Sequence, residues 1–128
     1  MSARPNVLFM IADDHRFSGM GHVGREAVQT PTLDALAARG TAFSTAYIMG
    51  GLSGAVCVPS RTSVHTGASV FRAAGDVDDI ASPQNYGRLN EGYSTLAGTF
   101  RAAVYHTFAT GKWHNDKKSF ADGFCSGA

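Results

Sequence analysis

The chain of 128 residues has the length of one ordinary domain. Its composition, with 44% hydrophobic and 16% charged residues, indicates a soluble, globular protein. Eleven Lys and Arg against ten Asp and Glu exclude the strongly basic surface that nucleic-acid binding requires. Two cysteines are too few for a disulfide scaffold, although they could pair with each other. The apolar run at residues 7–12 is too short to span a bilayer or to form the core of a signal peptide. We therefore expect a cytoplasmic protein with no membrane or nucleic-acid partner.

The first part of the chain predicts a strand, a helix and a second strand. The continuous apolar run Asn6–Ala12 is typical of a central strand buried on both faces, and it ends abruptly in Asp13-Asp14. A helix is predicted over residues 30–40, with an N-cap threonine, a proline in the first turn and a glycine at the end. Residues 41–48 alternate well enough to form a second strand.

The rest of the chain continues this alternation. Residues 49–56 predict a loop, a short helix is expected from Pro59 to Gly67, and residues 75–92 predict a surface excursion. A further helix is expected from Ser94 or Thr95 to about Ala103, followed by a strand at residues 105–109. Strands that alternate with helices predict an α/β fold, with a mostly parallel sheet flanked by helices.

The segment Cys57–Arg61 reads C-V-P-S-R and is followed by Thr66-Gly67. Chance occurrence of C-x-P-S-R in a chain this long is on the order of one in a thousand or rarer. Because a helix is predicted to begin just after Cys57, backbone N–H groups and the helix dipole would favour an anion there. Arg61, one turn on, could point back toward Cys57 as a permanently charged hydrogen-bond fork. The alternatives are a buried structural cysteine and a solvated arginine.

Two other segments carry reactive side chains. Asp13-Asp14 would suit a hard divalent cation, although a turn with an Asx-type hydrogen bond is the better explanation for the pair alone. In Lys112-Trp113-His114 the lysine offers a compact positive charge and the histidine titrates near neutrality; the alternative is a surface lysine beside a core tryptophan. Ligands of open α/β sheets bind beyond the carboxyl ends of the strands, so we expect these side chains and Cys57 to lie at one rim.

These three segments, in this order, resemble those of type I sulfatases, members of the alkaline phosphatase superfamily. Residues 4–14 and 30–34 resemble the opening of that family, Cys57–Arg61 resembles its signature, and Thr110–Asn115 resembles its G-K-W-H segment. The resemblance implies an alkaline-phosphatase/sulfatase-like fold. It also implies that residues 1–128 are the N-terminal part of a catalytic domain whose C-terminal half is absent.

The resemblance further implies a sulfuric ester hydrolase. A maturation enzyme would convert Cys57 to formylglycine, whose hydrate attacks the sulfur of a small-molecule or carbohydrate sulfate ester. Asp13, Asp14 and the modified Cys57 would ligate one divalent cation, Ca²⁺ in the first instance and Mg²⁺ as the alternative. Arg61 would support formylglycine and the metal site, Lys112 would bind the sulfate, and His114 would hold the second hydroxyl of the hydrate.

Other interpretations remain open. Phosphonate monoester and phosphodiester hydrolases of the same superfamily share the cysteine motif, and a non-catalytic truncated fragment is a third possibility. Ca²⁺ takes six to eight oxygen ligands, and this chain offers two acids and Cys57. We therefore expect the 128 residues alone to be inactive or nearly so.

Four further residues lie outside the motifs. Val104 stands where relatives usually have glycine, and valine does not easily adopt the left-handed conformation of a helix C′ position. We expect the turn there to be strained or built differently. His22, His65 and His106 are predicted to be structural or surface residues.

Overall fold

The computed structural model describes residues 4–50, 56–74 and 87–127. The chain divides into two compact units, Met1–Ala46 and Tyr47–Ala128. The described elements of the first unit are two short 3₁₀ turns and one helix: Phe17–Gly19, Gly21–Val23 and α1, Pro31–Arg39. Those of the second unit are α2 (Cys57–Thr66), α3 (Val70–Ala73), α4 (Leu96–Ala102), β1 (Phe108–Ala109), α5 (Lys117–Gly123) and β2 (Ser126–Gly127). The predicted loop at 49–56 and excursion at 75–92 fall largely on residues 51–55 and 75–86, which lie outside the described residues.

Helix α1 confirms the helix predicted at residues 30–40, and Pro31 occupies its first turn as expected. The hydroxyl of Thr30 accepts the Gly21 N–H and donates to the Asp34 carboxylate, both at 2.8 Å. The same carboxylate accepts the N–H of His22 at 2.8 Å. Thr30 and Asp34 therefore fasten the second 3₁₀ turn to the start of α1, and these hydrogen bonds lower the pKa of Asp34, the Thr30 bond most of all.

The two strands predicted in the first unit are wrong for this structure. Neither residues 6–12 nor residues 41–46 form a strand, and Leu8 and Phe43 are 81% and 76% exposed. A strand buried on both faces needs hydrogen-bonded neighbours and covering helices. Within residues 4–46 the structure assigns no strand that could serve as such a neighbour.

Helix α2 begins at Cys57, two residues earlier than predicted. Pro59 is therefore its third residue, where no helical hydrogen bond needs the missing N–H. The first bond of the helix runs from the Ser60 N–H to the Val56 carbonyl at 3.0 Å. Gly67 ends the helix as predicted, with φ of 66° in the left-handed region that glycine tolerates.

Helix α4 confirms the helix predicted at residues 95–103, and the Thr95 hydroxyl caps it by accepting the Gly98 N–H at 3.0 Å. Its C-terminus forms a Schellman motif, in which the Val104 N–H bonds to the Arg101 carbonyl and the Tyr105 N–H to the Phe100 carbonyl. Val104 has φ of 65°, a conformation that strains a β-branched residue. The expected strain is therefore present.

The core of the second unit lies where α2 packs against α3 and α4, and α4 in turn packs against α5. Val58, Val70 and Ala73 are almost completely buried there. Strands β1 and β2 form a parallel pair, with Phe108 opposite Ser126. The strand predicted at residues 105–109 is thus confirmed over its last two residues. Helices beside a parallel strand pair are consistent with the predicted α/β class. None of the described helices is long and apolar enough to cross a membrane.

Candidate active site

The N-terminus of α2 carries the cysteine motif. Cys57 is the first helical residue and is half-buried; it and Cys125 are free thiols, so the two do not pair. One turn on, Arg61 is only 7% exposed. Its Nη1 donates to the backbone carbonyl of Lys112 at 2.5 Å. The solvated alternative for Arg61 is therefore wrong, and its guanidinium joins the cysteine motif to the lysine motif.

The segment that follows β1 carries the lysine and the histidine, as the sequence predicted. Gly111 has φ of 94°, a conformation open to glycine but to few other residues. His114 also has a positive φ, 61°, although it is not glycine. Lys112 and His114 are exposed residues, while Trp113 between them is half-buried. The segment thus presents its two reactive side chains on either side of an anchoring ring.

Trp113 is anchored on three sides. Its Nε1 donates to the Asp116 carbonyl at 3.0 Å, and its ring meets Phe120 and Phe124 edge to face at centroid distances of 5.7 and 5.4 Å. On a further side lies the ring of His65, with centroids 4.4 Å apart. Burial, and secondarily the charge of Arg61, lowers the pKa of His65, which favours its neutral form. His65 is thus a packing residue, as predicted.

Asn115 is a contact residue to which the sequence assigned no role. Its Nδ2 donates to the hydroxyl of Thr62 at 2.8 Å and to the Gly87 carbonyl at 3.1 Å. The Gly87 carbonyl also accepts the Asp116 N–H at 3.0 Å. Asparagine is common in turns for local reasons, so its type alone gives no signal of a contact with a residue 53 positions away.

Asp13 and Asp14 lie in the first unit, in a turn, and Asp14 has φ of 51°. Both residues are exposed, and their carboxylates are the oxygen donors that Ca²⁺ and Mg²⁺ prefer, so the donor chemistry fits the predicted cation. Within residues 4–50, 56–74 and 87–127 no group of three or more His, Cys, Asp or Glu is placed to hold a metal ion. The metal-ligand set Asp13, Asp14 and Cys57, and its position at one rim with Lys112 and His114, therefore stay predictions.

Comparison with known proteins shows the family. The family model described as Sulfatase matches residues 5–127. The chain is 35% identical over 111 residues to an N-acetylglucosamine-6-O-sulfatase of Bacteroides thetaiotaomicron, covering 87% of this chain and 18% of that protein. It is 36% identical over 110 residues to arylsulfatase A of Bos taurus, covering 86% and 21%, and 34% identical over 116 residues to an arylsulfatase of Klebsiella aerogenes, covering 87% and 24%. No solved structure matches significantly.

The chain belongs to the sulfatase family, and the matched region is the N-terminal portion of that family. It spans about a fifth of the length of the curated relatives it matches. The resemblance drawn from the three motifs is thereby confirmed.

Proposed function

We propose that this chain carries the nucleophile-bearing part of the active site of a sulfuric ester hydrolase. The observation that supports this most directly is the hydrogen bond from Arg61 Nη1 to the Lys112 carbonyl. It connects the helix that begins with Cys57 to the segment that bears Lys112 and His114, across 51 positions of sequence. Membership of the sulfatase family supports the same assignment for these motifs.

Each of these residues has a role that its chemistry suits. Cys57, at the first position of α2, lies where helix N–H groups have no partner within the helix, so an anion formed at its side chain is favoured. Lys112 supplies a compact positive charge for the sulfate oxygens, and Arg61 a second, permanent one behind it. His114 supplies an imidazole nitrogen as the proton acceptor. Formylglycine made from Cys57 would supply an aldehyde hydrate as nucleophile, with an internal route for expelling sulfate.

A divalent cation completes the proposal. Asp13 and Asp14 would hold it together with the modified Cys57, Ca²⁺ being the first candidate and Mg²⁺ the alternative. The cation would supply charge stabilisation for the ester oxygens. The carboxylates of Asp13 and Asp14 offer the hard oxygen donors that such an ion requires.

The fold and partners follow from the same assignment. We infer that residues 1–128 belong to the N-terminal part of an alkaline-phosphatase-like α/β catalytic domain. The substrate class is a sulfate ester of a small molecule or carbohydrate, and the partner in maturation is a formylglycine-generating enzyme. The names of the relatives, an N-acetylglucosamine-6-O-sulfatase and arylsulfatases, favour sulfate over phosphonate or phosphodiester.

Mass spectrometry of the Cys57 peptide tests the proposal. After co-expression with a formylglycine-generating enzyme, we expect the peptide to carry an aldehyde in place of the thiol, which a hydrazide probe captures. Cys125 in the same chain is the internal control and should stay a thiol. A Cys57 that remains entirely a thiol would contradict the catalytic assignment. Hydrolysis of an aryl sulfate and an aryl phosphonate, measured side by side on the aldehyde form joined to the C-terminal part of a sulfatase catalytic domain, then distinguishes the two substrate classes.

A further inference from the structure

The backbone of His114 is held in a conformation that histidine does not adopt freely. Its φ is 61°, in the left-handed region that costs a non-glycine residue about 1–2 kcal/mol. Such a conformation persists only where the surrounding structure over-determines it. Contacts made by the residues on either side of His114 contribute to holding this conformation.

The residues on the two sides of His114 form hydrogen bonds with the same turn of α2. On one side, the Lys112 carbonyl accepts the guanidinium of Arg61. On the other, Nδ2 of Asn115 donates to the hydroxyl of Thr62, a residue with no exposed surface. Because Arg61 and Thr62 are consecutive, one rigid helical turn fixes the chain on both sides of His114.

The backbone of Gly87 makes a third contact with this segment. The Gly87 carbonyl accepts both Asn115 Nδ2 and the Asp116 N–H, at 3.1 and 3.0 Å. Gly87 has φ of 81°, and a Cβ there would meet the His114 carbonyl oxygen at 3.0 Å. The backbone at Gly87 thus lies directly against the backbone of His114 and Asn115. A side chain at position 87 would force the two apart.

Asn115 keeps these bonds although its amide is only partly satisfied. Its Oδ1 is buried and has no hydrogen-bond partner in the part of the chain that the structure describes. A buried acceptor left unpaired costs about 1–3 kcal/mol. The amide's favourable contribution therefore comes from Nδ2, which joins Thr62 to Gly87.

We propose that Asn115 is the positioning residue for His114, acting through the hydroxyl of Thr62. Without that bond, the chain at His114 relaxes toward an ordinary right-handed or extended conformation, and the imidazole moves away from the proton that it handles. The catalytic part of this proposal rests on the proposed function; the conformational part does not.

The conformational part is tested by NMR on the 128-residue chain. Thr62→Val removes the hydroxyl at nearly constant volume, Asn115→Ala removes the amide, and Thr62→Ser keeps the hydroxyl. The coupling constants and backbone chemical shifts of His114 should show loss of the positive φ in the first two variants and its retention in Thr62→Ser. Thr99→Val, which removes the hydroxyl bond to the Thr95 carbonyl on α4, is the matched control and should leave His114 unchanged. A positive φ retained in both Thr62→Val and Asn115→Ala would overturn the proposal.

The catalytic part is tested by steady-state hydrolysis of an aryl sulfate with residues 1–128 joined to the C-terminal part of a sulfatase catalytic domain, because the 128 residues alone are expected to be inactive. Thr62→Val should lower kcat about 10- to 100-fold, as expected for a misplaced reacting group. KM should change less than about twofold, because the Lys112 carbonyl keeps its bond to Arg61 and the sulfate-binding charge stays in place. An unchanged kcat, with His114 shown to have moved, would refute the positioning role. If the joined protein without the substitution hydrolyses no sulfate ester after conversion of Cys57 to formylglycine, the proposed function fails, and the NMR result still decides what holds His114.

Discussion

Replacement of Val104 by glycine should stabilise the protein. Val104 is the left-handed residue of the Schellman motif that ends α4, with φ of 65°. The motif is otherwise complete, because the rings of Phe100 and Tyr105 make the accompanying contact at a centroid distance of 5.0 Å. Valine is thus the one unfavourable choice in a well-formed helix terminus.

The size of the effect follows from three contributions. The left-handed conformation costs an L-residue about 1–2 kcal/mol, which glycine avoids. Glycine loses more conformational entropy on folding, about 0.5–1 kcal/mol. The side chain of Val104 is 85% exposed, so its removal forfeits almost no buried surface. The net expectation is a gain of about 0.5–1 kcal/mol in the free energy of unfolding, equivalent to about 2–4 °C in Tm.

Urea and thermal unfolding of both variants measure this difference. The chain has a single tryptophan, Trp113, which lies in the same unit as Val104, so its fluorescence reports the relevant unfolding. Ala103→Gly is the matched control: Ala103 has φ of −82°, where glycine brings only its entropic disadvantage and should lower stability by about 0.5–1 kcal/mol. A Val104→Gly variant no more stable than the parent would show that the turn is not strained as argued.

Two pH-dependent contributions to stability are also expected. Burial, followed by the charge of Arg61, lowers the pKa of His65 below its ordinary 6.5. The contribution of neutral His65 to the free energy of unfolding is therefore complete above pH 6.5 and is lost as pH falls below it. His65→Gln should flatten the pH dependence of urea unfolding just below pH 6.5, and an unaltered slope would contradict this. The Thr30 hydroxyl, aided by the His22 N–H, lowers the pKa of Asp34 below 3.8, so this contribution is present above 3.8 and is lost as pH falls below it. Asp34→Asn should remove that acid-side loss of stability in a circular-dichroism titration; an acid transition equally steep in the variant would refute it.

The helices could be predicted because their signals are local. Thr30 followed by Pro31 marks the start of α1, and Thr95, which accepts the N–H of Gly98, marks the start of α4. Each signal lies within one turn of sequence. The beginning of α2 was misplaced by two residues because Pro59 suits the first helical position. It occupies the third, where a missing N–H is equally harmless.

The strands could not be predicted as securely because a strand depends on remote partners. The apolar run Asn6–Ala12 satisfies every local criterion for a buried strand, yet within residues 4–46 there is no strand beside it. Strand β1 exists because Ser126–Gly127 lies parallel to it, and it is only as long as that partner. The hydrophobic pattern thus indicates that a segment can form a strand, whereas the presence of a pairing strand decides whether it does.

The site was predictable in its residue types and less so in its contacts. The order of the motifs placed Arg61 and Lys112 in one site, but nothing in the sequence shows that the guanidinium binds the lysine's backbone carbonyl. Asn115 was overlooked for the same reason, since its partner Thr62 is distant in sequence and carries no motif signal. Contacts between side chains and remote backbone depend on the tertiary fold, which residue patterns do not encode directly.

The contacts around a strained residue, and not the strain itself, distinguish the candidate site from an ordinary turn. Among the described residues, the non-glycine residues with positive φ are Asp14, Val104 and His114. His114 is bracketed by contacts from Arg61 and Asn115, whereas Val104 is an exposed residue held by the hydrogen bonds of a helix terminus. Glycine at position 104 should therefore raise stability with no effect on the proposed chemistry. Glycine at position 14 or 114 relieves the same kind of strain but removes a proposed metal ligand or proton acceptor, so there any gain in stability is expected to come with a loss of function.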